Sequence, residues 1–115
     1  MSLASSVLAS IKKLLGIQDD SSEFDQEIIM NINSVLGKVY QLGVTKEAKI
    51  IEDREATWTD IIGDLKDLEI IKTYIYKNVK LAFDPPSSSF VLQSLKEQIA
   101  EEEFRLSAVT DYSFE

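Results

Sequence analysis

The chain has 115 residues, 44% of them hydrophobic and 28% charged, which is the composition of one globular domain with enough apolar material for a core. It contains no cysteine and no histidine, so disulfides, thiolate and imidazole metal sites and the commonest general base are all excluded, and nothing points to an oxidising compartment. The net charge of -8 argues against a wrapping contact with nucleic acid.

The charge is uneven along the chain: residues 1–16 carry +2 and 65–86 carry +1, whereas 17–64 carry -7 and 87–115 carry -4. Leu3, Val7, Leu8, Ile11, Leu14 and Leu15 recur at spacings of three and four, which predicts a short amphipathic helix that Gly16 ends. Lys12 and Lys13 interrupt this segment, and no uncharged run approaches the roughly 20 residues of a membrane span, so neither an anchor nor a secretory signal is expected. Ser22 is the expected N-cap of a second helix, with Glu23 and Asp25 in its first turn and Phe24, Ile28, Ile32, Val35, Leu36 and Val39 on its core face. Gly43 offers its stop.

Residues 44–56 break the period and predict a long loop, with Ile50 and Ile51 as a brief extended piece. Thr57 followed three residues later by Asp60 reads as a capping box for a short helix with Trp58, Ile61 and Ile62, interrupted at Gly63 and Asp64. Leu65 to Phe83 is then apolar on most sides: Leu68, Ile71, Ile75, Val79 and Ala82 share one face, with Ile70, Tyr74, Leu81 and Phe83 off it. Such a helix is buried on most sides, either at the centre of the domain or shared with a neighbouring subunit. So short a chain holds barely enough other material to surround it, which is a first indication of assembly.

Asp84-Pro85-Pro86 ends this helix, and Ser87, Ser88 and Ser89 cap the next. Val91, Leu92, Leu95, Ile99 and Leu106 form its apolar stripe, with Phe104 to one side and Glu97, Glu101, Glu102 and Glu103 on wet faces. The expected fold is all-α, a small bundle of about four to five helices with a long central helix and a helix-loop-helix joined at Asp84-Pro85-Pro86. One domain spans residues 1–115, with 107–115 as a flexible or partner-docking tail.

The four glycines are too dispersed for a phosphate-binding loop, and consecutive glutamates on a helix point in different directions, so neither nucleotide nor metal chemistry is indicated. Lys72, Lys77 and Lys80 lend positive charge to the central helix, but Tyr74 and Tyr76 read as core or interface aromatics rather than as a nucleic-acid platform. The expectation is a protein without cofactor or catalytic residues.

The order of motifs carries a further signal. Leu14-Leu15-Gly16-Ile17, Phe24-Asp25 with Ile28, Asn31-Ile32-Asn33 and Gln41-Leu42-Gly43 resemble the opening of small bacteriophage head-tail connector proteins. Thr57-Trp58 with Asp60, Tyr74-Ile75-Tyr76, Phe83-Asp84-Pro85-Pro86, Ser89-Phe90 and Glu103-Phe104-Arg105-Leu106 continue in the family's order, so the resemblance covers residues 14–106. It implies a non-enzymatic virion subunit, assembled in the host cytoplasm, of a phage or prophage. It further implies a ring of about a dozen copies between portal and tail, through which packaged DNA passes without sequence-specific binding. The implied partners are copies of the chain, the portal and tail-side connector proteins, with no membrane. Trp58, Tyr74, Tyr76, Phe83 and Arg105 are the candidate interface residues. The alternative is a monomeric acidic helical interaction module of a bacterium, unrelated to virions.

Overall fold

A computed structural model describes residues 5–63 and 68–113, with side chains as far as Ser107. Leu3, Asp64 and Leu65, singled out above, lie outside the described residues, as does the end of the 107–115 tail. The described residues form five helices and no strand: α1 (Val7–Leu15), α2 (Asp25–Gln41), α3 (Trp58–Ile62), α4 (Leu68–Phe83) and α5 (Ser89–Ser113). The fold is all-α, as expected.

Helix α1 starts where the Ser6 hydroxyl accepts the Ala9 N–H at 3.2 Å, and it stops where Gly16 turns left-handed at φ 81°. That turn lets the Gly16 and Ile17 N–H groups reach the Lys13 and Lys12 carbonyls at 3.1 and 2.9 Å, satisfying carbonyls the helix leaves unpaired. Val7, Leu8 and Ile11 of α1 are buried.

Helix α2 begins later than the sequence suggests. Ser22 is not its cap; the helix opens at Asp25 after Phe24, with no side chain capping it. Tertiary contacts set this start instead. Lys12 gathers the Asp19 and Ser21 carbonyls and the Asp25 carboxylate, the last at 2.9 Å, while Phe24 lies edge-on to Phe83 with ring centroids 5.4 Å apart. Along α2 the predicted stripe is the buried one, from Ile28 through Ile32, Val35 and Leu36 to Val39.

The 44–56 segment forms no regular element, and Ile50 and Ile51 part company: Ile51 is buried while Ile50 is 65% exposed. A side chain does the work of a strand. Asn33 on α2 accepts the Ile51 N–H at 2.8 Å and donates to the Ile51 carbonyl at 3.0 Å, closing both backbone groups of a buried residue. Beyond it the chain meets the start of α1, where Val7 and Trp58 donate to the Ala56 and Ser5 carbonyls. Thr57 and Asp60 make the expected capping box, which sets α3 and sends Trp58 inward.

Helix α4 packs against α1, α2 and α5, so it is the central helix. The sequence holds barely enough other material to surround it, yet Ile71, Tyr74, Ile75 and Val79 are all buried within one copy. Its Ala82, placed by periodicity on the core face, is exposed, although Leu81 and Phe83 on either side of it pack against the core. The Ser88 hydroxyl and carbonyl then accept the Val91 and Leu92 N–H groups and open α5. Helix α5 continues to Ser113, beyond Leu106 where the apolar period ends. The described molecule is flat, with extents of 44 × 36 × 21 Å.

Candidate assembly surface

The five candidate interface residues take different positions. Trp58 and Tyr74 lie wholly inside the chain, Tyr76 and Phe83 pack half-buried against the core, and Arg105 stands exposed on α5 with its guanidinium 2.7 Å from Glu101. Trp58 donates its indole N–H to the Ser10 hydroxyl at 3.2 Å, and its ring faces the Lys72 ammonium at 5.3 Å. This holds α1, α3 and α4 together, a cation over an aromatic face offsetting part of the cost of burying the lysine. Tyr74 donates its hydroxyl to Glu103 at 2.9 Å; burial first, and then that carboxylate, hold the phenol well above its ordinary pKa.

The three lysines of α4 therefore do not make a basic surface. Lys72 is buried beside Trp58, Lys77 meets Glu102 at 3.3 Å, and Lys80 meets Asp84 at 2.9 Å. Glu102 and Glu103, expected on wet faces, instead turn toward α4: Glu102 is buried and Glu103 half-buried. The reason is the polar groups on the covered side of α4. Lys77 and the Tyr74 hydroxyl need partners there, and α5 supplies two carboxylates.

What the outer surface offers is apolar in places the sequence did not mark. Phe90 is 82% exposed, Phe104 75% and Met30 72%. Val91, counted in the α5 core stripe, is exposed as well. Helical phase makes this intelligible: Ile99 and Leu106 face α4, and at about 100° per residue Phe90 and Phe104 fall on the opposite side of α5. The signal was present as two aromatic residues out of phase with the stripe, but periodicity alone reads such residues as flanking the core.

A second surface feature lies between the 44–49 segment and α3. It is a cleft of about 430 Å³ with Val44, Thr45, Lys46, Glu47 and Lys49 on one wall and Thr59 to Gly63 on the other. Its charges are largely balanced locally. Lys49 sits 2.9 Å from Glu47, whose carboxyl pKa is lowered by that hydrogen bond and charge, and Asp60 accepts the Thr57 N–H. One guanidinium nitrogen of Arg54 donates to both Asp19 oxygens, at 2.8 and 2.9 Å, which ties the same loop to the turn after α1 and lowers the Asp19 pKa.

Among the described residues no group of three or more Asp or Glu side chains is arranged to hold a metal ion, and no helix is long and apolar enough to cross a membrane. Residues 7–113 match the family described as phage connector protein. No curated protein and no solved structure matches the chain.

Proposed function

From the premise that the chain belongs to the phage connector protein family, and so is a structural connector of a bacteriophage virion, we propose that its copies form a ring between portal and tail that completes the head after DNA packaging. The observation that carries this reading is the extent of the family match, which takes in all five helices rather than one shared motif. The surface supports it. A chain of net charge -8, with Lys77 and Lys80 of α4 paired to its own carboxylates, repels a phosphate backbone, which suits a channel that DNA must slide through. The exposed Phe90, Phe104 and Met30 supply apolar contact area of the kind subunit interfaces bury.

Of the five residues marked in the sequence, Tyr76, Phe83 and Arg105 reach the surface and are proposed as contact residues. Trp58 and Tyr74 act from inside, by fixing α3 and α5 in the orientation that presents those contacts. The test is to mix the purified chain with portal particles and measure mass by sedimentation and symmetry by electron microscopy. A closed ring of chain copies on the portal is expected. A chain that stays monomeric at high concentration and leaves the portal bare refutes the reading.

A further inference from the structure

We infer that successive copies contact one another head to tail, with Phe90 of one copy seated in the cleft between the 44–49 segment and α3 of the next; this rests on the proposed assembly of the chain with itself. The two features lie at opposite ends of α4. Gly63, at the cleft, precedes that helix, whereas Phe90 follows it in the first turn of α5. The sixteen residues of α4, about 24 Å of helix, lie between them in the chain, so the anchor and the cleft of one copy belong to different parts of the fold.

Charge selects these two surfaces from the rest of an acidic molecule. Between Asp84 and Lys96 the chain has no charged residue, and within that stretch Phe90 is 82% exposed with Val91 half-exposed beside it. On the receiving side, Lys46 and Lys49 offset Glu47 and Asp60, and Val44, Ile61 and Ile62 give the cleft apolar lining. Copies that repel elsewhere thus meet where one partner is neutral and the other balanced. The cleft, at about 430 Å³, is large enough for a phenylalanine side chain, and a large aromatic residue in a pocket is the usual anchor of a protein contact. Because the two surfaces differ, the contact is heterologous and repeats around a closed ring rather than stopping at a pair.

The absence of cysteine allows a direct test on the full chain. Phe90→Cys and Lys46→Cys, both at exposed positions, are prepared singly and together and treated with a short bis-maleimide under conditions in which the unmodified chain assembles. A covalent dimer from the mixture of the two single variants, and a ladder from the double variant, are expected. Phe90→Asp is expected to weaken self-association roughly tenfold or more, with its melting temperature unchanged. If the chain assembles but cross-links only between like cysteines, or not at all, the head-to-tail contact is overturned and the ring stands. If the unmodified chain does not assemble even with portal particles, both fall.

Discussion

Replacing Asn33 by alanine tests the claim that one side chain holds the 44–56 loop in place. Two hydrogen bonds join the Asn33 amide to the Ile51 backbone, at 2.8 and 3.0 Å, and Ile51 itself is only 2% exposed. Each bond is worth about 1 kcal/mol net, and leaving a buried N–H or C=O without a partner costs about 1–3 kcal/mol. The substitution is therefore expected to cost about 2–4 kcal/mol, which for a chain of this size lowers the melting temperature by about 8–15 °C. Urea unfolding measures the first quantity, and hydrogen exchange at the Ile51 amide locates it. Exchange at Ile51 is expected to accelerate far more than exchange in the α2 core at Ile32 and Val39, because the loop lets go before the helices do. Asn33→Asp keeps an acceptor for the Ile51 N–H but turns a carboxylate toward the carbonyl, so it is expected to weaken the loop as well. A loss under about 0.5 kcal/mol with Ile51 still protected refutes the reasoning, since the hydrogen bonds would then contribute nothing that water does not replace.

Two glycines make a paired prediction. Gly16 and Gly37 each have nothing within 4 Å of an added Cβ, but Gly16 sits at φ 81° and Gly37 in the interior of α2. Gly16→Ala is expected to destabilise by about 1 kcal/mol and Gly37→Ala to stabilise by about 0.5–1 kcal/mol, both read from urea midpoints; equal signs would refute the conformational argument. Tyr74 gives the pH dependence. Its folded pKa is raised above the ordinary 10.0, so its contribution is intact below about pH 10 and declines above it, as the unfolded chain releases the proton first, with a slope near 1.4 kcal/mol per pH unit. Tyr74→Phe is expected to cost about 1 kcal/mol at neutral pH and to flatten the alkaline decline; an unchanged slope in alkaline thermal melts contradicts the assignment.

The elements that could be read from the sequence are those fixed by neighbours along the chain. The Thr57–Asp60 capping box, the Gly16 stop and the Asp84-Pro85-Pro86 break each need only a few adjacent residues, and each is present. The start of α2 lies at Asp25 rather than after Ser22, where Lys12 and Phe83, distant in sequence, meet Asp25 and Phe24. Glu102 looked like a solvated glutamate because its partner Lys77 lies 25 residues away on another helix. The Asn33–Ile51 clamp leaves no periodic trace at all. Asn33 belongs to the Asn31-Ile32-Asn33 motif, and its two bonds to Ile51 give it a physical role.

The apolar central helix first suggested assembly, but the covered surface of α4 cannot be the contact, since α1, α2 and α5 already occupy it. The candidate moves outward to α5, whose two halves differ. Ile99, Glu102 and Leu106 are buried against α4, and the Lys77–Glu102 and Tyr74–Glu103 pairs fix that half by polar contacts, which weaken steeply if the helix shifts. In the first half Leu92, Ser94 and Leu95 are only partly covered, and Phe90 and Val91 face outward. A second copy therefore gains most by covering the first half of α5, while the second half keeps the helix in register on its own chain. That division of labour explains why truncating Phe90 is expected to separate copies without loosening any one of them.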